Sequence, residues 1–281
     1  MSESAVNLPP PSLNIVNLAI ADLAIYAVLF FPTCYLTWMH GKNGMVCWPI
    51  FVSYFGLRFA SDAYLIVHRA DPLLPNTVAI MTNAGSLACL SLTIIGLLYE
   101  VNITLPYPRR WTEKIILGVT HLCNTAGIAL ATYGGSPSAT GEGGVASQLL
   151  NRIGNCLMLG VMATMCWWIW PTWRRTSALH RKHPMFKPCR ALIVAAAVAI
   201  PFQCLRLIYN TTYAFDHLAI LDPITGTFAV RLILQFIPQI GVAVATVVGG
   251  WFGIPPKDKS NPGEEMACLE QLPSSSDRVL V

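Results

Sequence analysis

The sequence predicts an all-α membrane protein: a seven-transmembrane-helix bundle with its N-terminus lumenal or outside and its C-terminus cytosolic. Three observations carry that prediction. The chain is 54% hydrophobic and only 11% charged, with mean hydropathy +0.53, where a soluble domain carries about 25% charged residues. Seven apolar segments are long enough to cross a hydrocarbon core of roughly 30 Å, which takes about 20 helical residues. The basic residues between these segments gather on alternate connections, which is the pattern of the positive-inside rule.

The first span, 13–38, carries Asp22 as its one charged residue and ends on Trp38. The second, 44–68, carries Arg58 and Asp62 inside the run GLRFASDAYLIVHR. The third, 77–99, ends on Tyr99 and carries Asn83; the fourth, 114–134, follows Trp111 and carries His121 and Asn124. The fifth, 147–172, holds Arg152 and Asn155 and runs into Trp173. The sixth, 190–213, holds Arg206, Tyr209 and Asn210, and the seventh, 227–252, holds Arg231 and Gln235 and ends at Trp251. In lipid each segment must satisfy its own backbone, so all seven are read as helices. The Trp and Tyr residues at their ends suit an interfacial belt.

The 39–43 loop has Lys42, the 100–114 loop has Arg109, Arg110 and Lys114, the 173–190 loop has six basic residues, and the tail has Lys257, Lys259 and Arg278. The other side has only Arg69 clearly outside a span, and this asymmetry sets the orientation. Residues 1–12 form a short N-terminal segment with no basic region or cleavage site of a signal peptide, 13–253 the transmembrane domain, and 254–281 a polar tail expected to be disordered and cytosolic. Residues 135–146 read as a flexible lumenal connector. The sequons at Asn102 and Asn210 are expected to stay unmodified, the first on the cytosolic side and the second inside a span. The cysteines of the apolar runs, from Cys34 to Cys204, include no C-x-x-C pair and read as buried small hydrophobes.

The polar groups within the spans fall at similar depth. Arg58/Asp62, Arg206/Asn210 and Arg231/Gln235 are spaced i, i+4, and His121/Asn124 i, i+3, so each pair shares a helix face. A charge in mid-bilayer costs several kcal/mol unless paired or hydrated, so such residues face the bundle interior. One polar chamber opening toward the lumen is the simplest account, with far more apolar cytosolic halves. A structural alternative stands beside it: Arg58 and Asp62 neutralise one another, while Arg152 and Arg231 snorkel to the interface.

The chain lacks the phosphate-binding G-x-x-x-x-G-K-[ST] loop, the H-E-x-x-H zinc helix and the G-x-S-x-G elbow. His121 has no companion histidine at ligand spacing. No metal, no cofactor, no nucleic acid and no obligatory protein partner is expected. The first functional expectation is an enzyme on a lipid-soluble substrate. Cyclising an isoprenoid takes an acid, aromatic faces for the carbocation and a dry pocket. Asp62 is the expected proton donor, with Asp22 or Asp216 as partner. Arg58, Arg206, Arg231, Tyr209 and Asn124 are the expected substrate-binding residues. Tyr54, Phe55, Phe59, Tyr64, Trp167, Trp168, Phe202 and Tyr209 offer aromatic faces. Arg58 counts against an acid at Asp62, because a guanidinium favours the ionised carboxylate; a headgroup-binding role for Arg58 removes the conflict.

The stretch KNGMVCWPIFVSYFGLRFASDAYL, residues 42–65, resembles the second-helix region of the small seven-helix membrane terpene cyclases of fungal meroterpenoid pathways. There a G-M dipeptide precedes a helix bearing an acidic residue; Asp62 stands at that place, with aspartate where better-known members carry glutamate. Asp216 resembles their late acidic residue. The resemblance implies metal-independent cyclisation of a farnesyl-type chain on an aromatic headgroup, or of its epoxide, in secondary metabolism at the endoplasmic reticulum. The run PFQCLRLIYNTTYAFD, residues 201–216, is similar to the sixth-helix motif of fungal RTA1-like proteins, with Arg206 and Tyr209 as the matching positions. That likeness implies a lipid transporter, flippase or seven-helix receptor, with membrane lipids as partners. The arginines fit it, because guanidinium groups suit phosphate and carboxylate ligands.

Overall fold

In a computed structural model the chain is an all-helical bundle, described here for residues 11–70, 77–105, 110–135, 145–181, 183–216, 218–222 and 226–256. The expected tail beyond 256 and most of the 135–146 connector lie outside the described residues. Seven helices are long and apolar enough to cross a membrane: α1 Leu13–His40, α2 Trp48–Val67, α3 Thr77–Thr104, α4 Arg110–Gly135, α5 Val145–Ala178 and α6 Phe186–Asp216, then α7 Phe228–Phe252. Among the described residues there is no strand. The chain is a multi-pass membrane helix bundle.

Helices consecutive in the chain run antiparallel. His40 at the end of α1 packs on Trp48 at the start of α2, while Asp22 near the start of α1 meets Arg58 near the end of α2. The bundle therefore has an amino end, where α1 begins, and a carboxyl end, where α7 finishes. α3 lies at the centre, with Leu90, Ile94, Ile95, Leu97 and Leu98 buried. Residues such as Val28, Phe31, Trp38, Leu122 and Phe252 stay exposed, an apolar outer surface suited to acyl chains.

Three helices run well past the spans read from the sequence. α3 extends to Thr104, α5 to Ala178, and α6 begins at Phe186. The added turns are polar, and the reason is pairing: Asn102 of α3 donates to Thr172 Oγ1 of α5 at 2.8 Å, so polar residues at the carboxyl end continue the helices instead of forming loops. α2 starts later than expected, at Trp48, because residues 41–47 form turns, with Gly41 at φ 53° in the left-handed region that glycine tolerates.

Close approach fixes two seams. A Cβ on Gly154 of α5 would lie 2.4 Å from the Gly127 carbonyl oxygen of α4, and one on Gly250 of α7 would lie 2.0 Å from the Trp48 ring. Small residues let membrane helices pack backbone to backbone in this way. α7 is irregular. Arg231–Phe236 winds as a π-helix, with the Ile237 N–H donating to the Leu232 carbonyl five residues back. Pro238 follows directly. Its ring crowds the carbonyl four residues earlier and it has no N–H to give; the wider π turns absorb that conflict.

A buried charged chamber as the candidate functional site

Helix periodicity brings the charges inward. The buried stripe of α1 runs Ile15, Val16, Ala19, Asp22, Tyr26, and that of α2 runs Trp48, Phe51, Tyr54, Phe55, Arg58, Asp62. The charged residues thus continue the faces that carry the core. Arg58 Nη2 donates to Asp22 Oδ2 and, at 3.0 Å, to Asp62 Oδ1. One guanidinium bridges two carboxylates from two helices. Asp22 Oδ1, Asp62 Oδ2 and Arg58 Nε are buried with no protein partner. Below the triad, Tyr54 donates to Tyr26 Oη at 2.6 Å, and the Arg58 guanidinium stands 5.7 Å from the Tyr26 ring centre.

α6 supplies the second half. Arg206 is fully buried on the same stripe as Gln203 and Tyr209. Its Nη2 donates to Asn83 Oδ1 of α3 at 2.5 Å, and Gln235 Nε2 of α7 donates to the same oxygen at 3.4 Å. Arg206 Nε and Nη1 have no partner, nor has the Tyr209 hydroxyl or Gln235 Oε1. Among the described residues no carboxylate lies within ion-pair distance of Arg206. Its guanidinium lies 5.5 Å from the Tyr209 ring centre. Asp22, Arg58, Asp62, Arg231, Gln235 and Phe236 border a cavity of about 30 Å³, enough for about one or two waters. The π-helical stretch supplies three of those six groups.

Of the residues singled out in the sequence, Asp22, Arg58, Asp62 and Arg231 come together at this cavity, and Arg206 and Tyr209 lie across Asn83 and Gln235 from it. Asn124 lies elsewhere: it is buried on α4 and its Nδ2 donates to the Ala88 carbonyl of α3 at 3.4 Å. Asp216 does not reach the chamber either. It is the last residue of α6 and exposed, because the helix ends there and turns it to the surface. The carboxylate on the neighbouring connection is Asp222, which accepts from Tyr213 Oη at 3.0 Å. Arg152 donates from Nε and Nη2 to the Ala214 and Phe215 carbonyls, both at 3.2 Å, and so caps the C-terminus of α6 with a cation.

The aromatic residues are arranged differently from the expectation. Tyr54 and Phe55 pack edge-on into Tyr26, Phe59 packs on Phe30, Tyr64 stacks on His68, and Trp167 is exposed. Their faces meet one another more than they meet a cavity.

The expectation of apolar carboxyl-end halves does not hold. Two buried networks sit there. His40 Nδ1 lies 2.5 Å from Glu100 Oε1 and its Nε2 lies 3.0 Å from the Gly250 carbonyl, while Trp48 Nε1 donates to Glu100 Oε2 at 3.1 Å. Trp168 Nε1 and Arg175 Nη1 donate to the two oxygens of Glu113 at 2.9 and 2.6 Å, and Arg175 also reaches Asn102 Oδ1 at 3.1 Å. Here every carboxylate oxygen and indole N–H is matched. The signal in the sequence was the tryptophans: a buried indole N–H needs an acceptor, and Glu100 and Glu113 were the acceptors at hand.

Among the described residues no group of three His, Cys, Asp or Glu is placed to hold a metal ion. The fold and the chamber together define a multi-pass helical membrane protein with a charged site inside the bundle. The chain belongs to the family described as a domain of unknown function (DUF7702), whose model matches residues 15–253, essentially all seven helices. No curated protein and no solved structure matches it.

Proposed function

We propose that the protein binds the anionic head of an amphiphile in the amino-end chamber, as a lipid transporter or receptor of the RTA1-like kind. The observation that carries this reading is Arg206: a fully buried guanidinium with Nε and Nη1 unpartnered, beside an unpartnered Tyr209 hydroxyl. A buried cation without its hydrogen bonds is expensive, and a carboxylate or phosphate ligand supplies what it lacks. The basic residues at the carboxyl end support a cytosolic C-terminus and an outward chamber. Charge-assisted hydrogen bonds contribute about 1.5–3 kcal/mol each. Arg206→Gln is therefore expected to weaken binding of a long-chain carboxylate or lysophosphatidate at least tenfold, measured with purified protein in nanodiscs. Unchanged affinity in that variant would remove the chamber from ligand binding.

A second reading, terpene cyclisation in secondary metabolism of a fungal endoplasmic reticulum, is favoured by one observation: Asp22 Oδ1 and Asp62 Oδ2 remain unpartnered beside a cavity. The bridging Arg58 and the small volume weigh against it. Expression in a host fed prenylated phenols and their epoxides tests it. A cyclised product with the wild type and none with Asp62→Asn supports the enzyme; no product with either rules it out.

A further inference from the structure

A cavity much larger than the chamber's lies outside it. It is a groove of about 1010 Å³ between the outward faces of α6 and α7, almost wholly apolar in its lining, with Lys187 and Arg190 at its carboxyl end and Phe202, Phe236 and Gly241 at its other end. α6 rises beside it from Phe186 to Phe202, which is ~24 Å of helix, so it runs from the carboxyl surface to beyond mid-membrane. At the carboxyl end it adjoins a second cavity of about 150 Å³, and Phe186 and Arg190 belong to both walls. Arg181, Thr176, Ser177 and Trp173 complete the smaller one. Thr176 is 3% exposed, and its Oγ1 has no hydrogen-bond partner.

We propose that these two cavities form one binding site for a phosphate-headed lipid, with the phosphate between Arg181 and Arg190 and one acyl chain lying along the α6–α7 groove. The chemistry of each part selects its half of the ligand. Two guanidiniums and two hydroxyls converge on a space the size of a small anion, and guanidinium matches phosphate oxygens in geometry as well as charge. The unpartnered Thr176 hydroxyl is a buried polar group that a phosphate oxygen satisfies. The long apolar groove takes a single extended chain. Three cations at one end and none along the groove set the polarity of the ligand: head at the carboxyl end, chain pointing inward. The small head cavity favours phosphatidate over a bulky headgroup. This site is separate from the chamber, and it stands whether or not the chamber binds a ligand. The two approach one another only at Phe236, which borders both.

The test uses the full chain in nanodiscs and phosphatidate carrying a photoreactive group at the end of one acyl chain. Labelling is expected on α6 and α7 peptides around Phe202, Phe236 and Ile240. Phosphatidylcholine with the same photoreactive chain is expected to label them at least fivefold less. The double variant Arg181→Gln/Arg190→Gln is expected to abolish that preference. Val244→Trp, on the exposed groove wall, is expected to block labelling by either lipid. Arg174→Gln controls for loss of charge, since Arg174 lies 4.8 Å from the Trp170 ring and outside both cavities, and it is expected to label like the wild type. Equal labelling by the two lipids, or a preference that survives the double variant, overturns the proposal and leaves only ordinary boundary lipid.

Discussion

Arg58 is bonded to a carboxylate from its own helix and to another from α1. Removing the guanidinium leaves two like charges facing each other in a buried space. Breaking a buried ion pair from one side typically costs about 3–5 kcal/mol, so Arg58→Met is expected to lower the thermal midpoint in detergent sharply. Asp62→Asn keeps an acceptor toward Arg58 and is expected to cost less; the same melting experiment with the opposite ranking would show that the triad does not hold α1 to α2. This pair was legible in the sequence because i, i+4 spacing is a local property of one helix. The partnership with Asp22 was not, since it depends on which face of α1 meets α2. Glu100, Glu113 and His40 were missed for a related reason. They lie near the ends of apolar runs, where a charge reads as the start of a loop, and only the packed bundle shows them buried against Trp48 and Trp168. Asp216 lies outside the chamber, exposed at the end of α6; composition gives a residue's depth to within a turn, and one turn separates an inward carboxylate from a surface one.

Among the helices, α7 has the least regular geometry. The π stretch places Arg231, Gln235 and Phe236 on the wall of the 30 Å³ cavity, and Pro238, two residues past its end, is the reason the backbone widens. Pro238→Leu restores the missing N–H and allows ordinary α-helical turns. Residues 231–236 then rotate relative to α6, and Gln235 leaves Asn83. The variant is expected to melt no lower than the wild type, because a proline inside a helix costs about 3 kcal/mol, yet to lose affinity for the chamber ligand several-fold. Measured together, unchanged binding would show that the π geometry is incidental to the site. The number and order of the helices were legible from hydropathy, since crossing a bilayer demands length and apolarity from each segment separately. The π turn was not, because its cause is a contest between one proline and its neighbours that leaves no hydropathy trace. The extra turns of α3 and α5 were also hidden, because their polar residues are stabilised by partners on other helices.

At the scale of the whole molecule, the two ends differ in how completely their charged networks are satisfied. At the carboxyl end, His40, Glu100 and Trp48 tie α1, α2, α3 and α7 together, and Glu113, Arg175 and Asn102 tie α3, α4 and α5. At the amino end, Arg58, Asp22, Asp62, Arg206, Tyr209 and Gln235 each keep a buried atom unpartnered. A fully bonded network resists separation, whereas an unsatisfied one gains from a ligand, so the Arg58 triad and Arg206 have reason to take up a ligand that the His40–Glu100 and Glu113–Arg175 networks do not. The basic residues stand at the carboxyl end, which supports the proposal that this end is cytosolic. In that orientation the proposed phosphate-lipid site would face the cytosolic leaflet, where anionic lipids concentrate, and the chamber would face outward. Orientation thus decides which pool of ligand each site samples, and it can be read directly. A glycosylation sequon inserted on a short linker before residue 11 is expected to acquire a glycan, and the same insert after residue 256 is expected to remain unmodified, each scored by a glycosidase-sensitive shift on a gel. The reverse pattern would turn the chamber to the cytosol and the lipid groove to the outer leaflet, and the assignment of ligands to ends would exchange with it.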